Sequence, residues 1–168
     1  MDKFLEKVQL FKDLSNDELE QLSKLVSTEA VPASTLLFEE NSTREALFIV
    51  KQGEILLSKK SLYGTEKRLN VFRKYDFFGE SALFDQSPRT TSARALTDAI
   101  YLRIQRTDFL TFLQKNPSVA AKIYLRISRV ITRRMQSTST LLANEAAQYA
   151  SGRVRSEYDM LGSRDIPH

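Results

Sequence analysis

The chain contains no cysteine, which excludes disulfides, thiolate metal sites and cysteine nucleophiles. That absence fits a reducing compartment, and a cytoplasmic protein is expected. The single histidine, His168, is the last residue. A buried histidine base and a two-histidine metal site are thereby removed, so no metal, no cofactor and no catalytic residue is expected. No uninterrupted apolar run is long enough to cross a bilayer, and no membrane partner is expected. The N-terminal stretch MDKFLEKVQLFKDL carries acids and does not read as a secretory signal. What remains is 168 residues, 42% hydrophobic and 27% charged, about one domain with a core of ordinary size.

Net charge is +4, and much of the excess falls late, at Lys122, Arg126, Arg129, Arg133, Arg134, Arg153 and Arg155. A basic cluster can serve nucleic acid, yet no aromatic or base-reading motif accompanies this one. The plainer reading is a solvated helix face, and DNA binding by this chain is not expected.

Texture changes twice along the sequence. Ser15-Asn16-Asp17-Glu18 has capping-box form, with Leu19, Leu22, Leu25 and Val26 following at helical spacing. From Thr28 to Arg106 short β-branched, aromatic and leucine runs alternate with turn residues, predicting strands at 35–40, 46–53, 54–60, 67–75, 91–97 and 99–106. Gly64 in SLYGTE suits a hairpin, and Gly53 a turn in the preceding pair. Thr107 and Asp108 offer an N-cap for a short helix that stops before Pro117, a favoured first-turn residue for the next one. The fold expected is α+β, an antiparallel, jelly-roll-like β-roll flanked by N-terminal helices and a long C-terminal helix. Residues 1–150 make one domain: a helical lead-in 1–27, a roll 28–106, a short helix 107–116 and a long helix 117–150. Residues 151–168 read as a tail.

On the long helix, Ile127, Ile131, Met135, Thr138, Leu142 and Tyr149 share a face. That stripe is longer than a small roll can cover, so a homodimer through residues 120–149 is expected.

The segment FFGESALFDQSPRTT, residues 77–91, carries the chemistry. Gly79 lets the backbone turn and brings amide N–H groups close to an anion. The SALF stretch reads as one helical turn whose free amides also favour phosphate. Arg89, set by Pro88, has a fork of donors that matches phosphate oxygens. Glu80 suits a neutral hydroxyl such as a ribose 2′-OH. On residue types alone, a structural Glu80–Arg89 ion pair holding a loop is the favoured reading, although burying it is costly.

The pattern Phe78-Gly79-Glu80-Ser81-Ala82-Leu83 followed by Pro88-Arg89-Thr90, with nine residues from Glu80 to Arg89, resembles the phosphate-binding cassette of cyclic nucleotide-binding domains. It departs at Thr91, where the family usually has alanine. The stretch LRISRVITRRMQSTS resembles the dimerisation helix of the catabolite activator protein-like (Crp/Fnr) branch. This resemblance implies a cyclic nucleotide, cAMP favoured over cGMP, gripped by Gly79, Glu80, Ser81, Arg89 and Thr90. It further implies purine contacts from Thr138 and Ser139, one from each protomer, and an apolar cage including Leu57, Leu69 and Phe72. Thr90 could bond either a phosphate or a syn guanine amino group. The residues after Gly152 are too few for a helix-turn-helix. The chain is therefore expected to be a stand-alone sensor acting on an unknown effector protein, or the ligand-sensing part of a DNA-binding regulator. Enzymatic use of Glu80 lacks a second catalytic group. Another effector on the same fold stays open, because fold does not fix ligand.

Overall fold

The protein is represented by a computed structural model describing residues 3–43, 45–61, 64–84 and 87–150; the expected tail lies outside them. Two short 3-10 helices, Leu5–Lys7 and Gln9–Phe11, bury Leu5, Leu10 and Phe11 and lead into α1 (Asn16–Ser23). The capping box forms: Glu18 N–H donates to Ser15 Oγ (3.3 Å), and Ser15 N–H donates to Glu18 Oε2 (2.7 Å). Eight strands follow: β1 (Val26–Val31), β2 (Leu36–Phe38), β3 (Ala46–Gln52), β4 (Ile55–Lys60), β5 (Glu66–Phe72), β6 (Phe77–Phe78), β7 (Ser92–Ala95) and β8 (Ala99–Gln105). Two helices end the described chain, α2 (Arg106–Lys115) and α3 (Pro117–Ala150).

The strands make two four-stranded sheets, ordered β1-β8-β3-β6 and β2-β7-β4-β5, with every pairing antiparallel. Facing residues form one aromatic-rich core. Phe48 stacks on Phe78 with centroids 5.2 Å apart, Phe72 stacks on Phe78 at 4.9 Å, and Tyr101 meets Phe48 edge-on at 5.7 Å. Such ring pairs contribute about 0.5–1.5 kcal/mol each beyond the area they bury.

Four local expectations are corrected. The helical stripe stops at Ser23, and Val26 instead begins β1, paired with Ile104 of β8; the lead-in therefore gives way to strand before residue 28. The two-residue strand β6 was not foreseen, being too short to show alternation. Gly53 does turn the chain, at φ +82, but β3 and β4 lie in different sheets, so the turn crosses the roll rather than closing a hairpin. The N-cap of α2 is Gln105, not Thr107 or Asp108. At Gly64 the hairpin expectation holds: β4 and β5 pair antiparallel and Gly64 has φ +81.

Contacts divide the chain into two units, residues 1–127 and 128–168. In the first, the base of α3 buries Val119, Ile123 and Ile127. It is tied to the N-terminal segment by Lys122–Glu18 (2.8 Å) and Arg126–Asp13 ion pairs. Hydrogen bonding to Lys122, then to Ser15, holds the Glu18 carboxyl below its ordinary 4.5, and Asp13 raises the Arg126 guanidinium. In the second, Met135 and Leu142 are 65% and 61% exposed, while the Tyr149 side chain lies outside the described set.

Gly53→Ala should destabilise the roll, because an added Cβ would lie 2.4 Å from the Asp98 carbonyl oxygen at a left-handed φ. A loss of about 1–3 kcal/mol in chemical denaturation is expected. Glu18→Gln should lower the thermal midpoint at neutral pH. Since the folded pKa lies below the unfolded one, the pair's contribution is present above about 4.5 and lost as pH falls through the depressed folded value. The melting curves of variant and parent should therefore converge in acid.

Candidate functional site

Strand β6 places the glycine. Phe77 and Phe78 are both buried and pair with Ile49 and Phe48 of β3, so the chain leaves the sheet hard against β3. Gly79 then takes φ +80, and a Cβ there would sit 2.8 Å from the Ala46 carbonyl oxygen. No other residue fits both the angle and the space. The expected helical turn is a 3-10 turn over Glu80–Leu83, closed by Phe84 N–H donating to the Ser81 carbonyl at 3.1 Å. Leu83 is buried beneath it, whereas Phe84 is largely exposed and its ring meets Tyr124 at 5.7 Å. Glu80 is half-buried and Ser81 exposed.

Arg89 is the one charged side chain among the described residues that is buried, at 6% exposure. Its guanidinium lies over Phe38, with Cζ 3.7 Å from the ring centroid, and 5.6 Å from the centroid of Phe48. Its Nε donates to the Thr43 carbonyl at 3.2 Å. Its own backbone is pinned too: Arg89 N–H donates to the Ser42 carbonyl (2.9 Å), and the Arg89 carbonyl accepts from Asn41 N–H (2.7 Å). Burying a cation is expensive, and these contacts offset the cost through the ring quadrupoles and a charge-assisted hydrogen bond. The position of a Gly79 Cβ lies 3.7 Å from Arg89 Nη1. The two ends of the 77–91 segment are thus brought together, with the guanidinium edge beside the glycine backbone.

The remaining expected residues spread more widely. Thr90 is exposed, and its carbonyl accepts from Lys59 Nζ at 2.8 Å. Leu57 is half-buried against the core and Phe72 is buried inside it. Leu69 is the extra residue of a bulge in the β4–β5 pair, since Leu57 pairs with Asn70 and Ser58 with Arg68; it is 51% exposed. Bulges commonly re-aim a side chain next to a binding site. Thr138 and Ser139 are exposed on α3 in the second unit, where Thr138 Oγ1 donates to the Arg134 carbonyl (2.9 Å). Phe38, Phe48 and Thr43, which hold Arg89, were not foreseen. Thr43 and Arg89 are 46 positions apart, and nothing local in either stretch announces the contact.

A cavity of about 400 Å³ opens beside Arg89, between β1, β2, β3, β8 and the loop after β2. Glu29, Glu45, Arg103 and Tyr101 line its polar side and Phe38 and Phe48 its apolar one. Arg89 is the only expected site residue in its wall. Within it Tyr101 Oη donates to Glu29 Oε2 at 2.6 Å, and burial, then Glu29, pushes the phenol well above its ordinary pKa. Among the described residues no cluster of acids or histidines could hold a metal ion.

Residues 28–116, more than half of the chain, match the family model described as the cyclic nucleotide-binding domain. A CRP-like cAMP-activated global transcriptional regulator of Mycobacterium tuberculosis is 25% identical over 164 residues, covering 98% of this chain and 71% of its own length. A cAMP-dependent protein kinase regulatory subunit of Aspergillus fumigatus is 34% identical over 110 residues, covering 66% of this chain and 26% of its own. The chain thus spans about a quarter of the fungal subunit. Among solved structures, the Thermus thermophilus catabolite activator protein superposes with a TM-score of 0.71 at 25% identity, over 82% of this chain and 63% of that one. The N-terminal domain of a Streptomyces coelicolor A3(2) transcriptional regulator gives 0.70 at 28% identity, over 79% and 94%. With its two antiparallel sheets, its cassette segment and this match, the chain belongs to the cyclic nucleotide-binding domain family, with relatives among the catabolite activator-like regulators.

Proposed function

We propose that this chain is a non-catalytic cyclic nucleotide sensor, with cAMP favoured over cGMP. The observation that carries the reading is the buried Arg89 guanidinium beside the Gly79 backbone, inside the matched domain. A cyclic phosphate there would take a bidentate contact from Arg89 and backbone amides from the Gly79–Ser81 turn. Glu80 is assigned to the ribose hydroxyl, Thr90 to the phosphate or purine, and Leu57, Leu69 and Phe72 to the apolar cage. The preference for cAMP draws support from the mycobacterial and fungal relatives, both named for cAMP. Thr138 and Ser139 are assigned to the purine, supplied by a homodimer through residues 120–149. Ligand would favour the docked, paired arrangement of α3, by no more than its differential affinity for the two states. An effector protein would read the changed helix surface.

A second reading places the same sensor within a DNA-binding transcriptional regulator. It is supported by the mycobacterial regulator, which matches along 98% of this chain. A separate rival, DNA binding through the basic residues between 122 and 134, predicts steep salt-dependent binding of duplex DNA by this chain, and a flat titration at low salt would count against that rival alone.

Arg89→Ala should weaken cAMP binding by at least about a hundredfold in calorimetry while the far-ultraviolet circular dichroism stays that of a folded roll. Parental affinity in that variant would overturn the assignment. In a thermal-shift series with cAMP, cGMP and cyclic di-GMP, cAMP at a hundred times its dissociation constant should raise the midpoint by roughly 5–10 °C, more than either alternative.

A further inference from the structure

The β4–β7 ladder ends at the Ser58–Ser92 pair, so Thr90 lies just beyond the last sheet-paired residue of β7. Side chains continue the stitching there. Lys59 Nζ donates both to the Thr90 carbonyl (2.8 Å) and to Glu40 Oε1 (2.8 Å). Glu40 in turn accepts from Lys60 N–H through Oε2 (3.2 Å), and its own N–H donates to Ser92 Oγ (2.9 Å). Residues following β2, preceding β7 and closing β4, three neighbouring strands of one sheet, are therefore joined to one another beyond the end of the ladder. Lys59 hydrogen bonding is also the main cause that lowers the Glu40 carboxyl below its ordinary value.

Arg89 is held on one flank by the backbone of Asn41 and Ser42, and the next residue is held on the other flank by Lys59. From this we infer that Lys59, backed by Glu40, is a positioning residue of the ligand site: it fixes the Thr90 peptide and so aims the Thr90 hydroxyl and the adjoining Arg89. The inference rests on the proposed nucleotide-binding role of Arg89 and Thr90. An exposed ion pair adds little to stability by itself, so the contact should show in ligand affinity rather than in the melting point. Lys60, one residue on, supplies an internal control. It carries the same charge, but its ammonium reaches Glu39 at 3.7 Å instead of the Thr90 carbonyl.

Calorimetry with cAMP and with cGMP on the full chain and its variants decides the matter. Lys59→Met should weaken cAMP binding by about five- to tenfold with an unfolding midpoint close to the parent's, Lys59→Arg should recover most of the loss, and Lys60→Met should bind like the parent. In a Thr90→Ala background the Lys59→Met effect should shrink, because the hydroxyl being aimed is gone. Parental affinity in Lys59→Met overturns the inference, and so does an equal loss in Lys60→Met, which would mark a general charge effect. A parent chain that binds neither nucleotide removes the proposed function and this inference with it; a parent that binds while Lys59→Met is unchanged removes the inference alone.

Discussion

The burial of one guanidinium organises this domain. Arg89 sits over the face of Phe38 with a backbone carbonyl as its hydrogen-bond acceptor. A cation in that setting demands that its ring pedestal and its acceptor be placed together. Phe38 ends β2, Phe48 lies in β3 and Thr43 belongs to the loop between them. The loop must close on the 89–90 segment for the charge to be tolerated. Glycine at position 79 answers the same constraint from the other side, since any side chain there would strike the Ala46 carbonyl.

The roll supplies this arrangement through its topology. Strands β3 and β6 in one sheet and β2, β7 and β4 in the other bracket the 77–91 segment at both ends. The aromatic stack of Phe48, Phe78 and Phe72 fills the space between the sheets and keeps the Gly79 turn at a fixed height over β3. Where backbone pairing runs out, at Ser58 and Ser92, the Glu40–Lys59 pair extends the connection. Polar contacts thus sit at the ends of the ladders, and apolar ones fill the middle. Among the described residues no buried side-chain nitrogen or oxygen lacks a hydrogen-bond partner.

Much of this architecture is legible in the sequence. The Ser15–Glu18 capping box, the Gly64 hairpin and the runs that became β3, β4, β5 and β8 rest on local rules of capping, φ and alternation. Strand β1 is not legible because Val26–Val31 carries no buried residue, and Leu25-Val26 continues the helical spacing of Leu19 and Leu22. Only its pairing with β8 makes it a strand. Gly53 marks a turn in the sequence and makes one, at a left-handed φ, but local sequence cannot say whether two strands pair or face each other across a core. The short strand β6 has no periodicity to detect; its identity comes entirely from β3.

The sequence by itself determined the chemistry: no cysteine, no internal histidine, and one glycine–carboxylate–arginine segment at a spacing that resembles a known cassette. Those are properties of residue type and of distance along the chain, and they survive without coordinates. Only the tertiary structure decided which surfaces hold the arginine, because Phe38 and Thr43 reach it from 51 and 46 positions away in the chain. Contacts of that range depend on which strands become neighbours, and strand neighbours are chosen by the packing of the whole roll rather than by any one stretch.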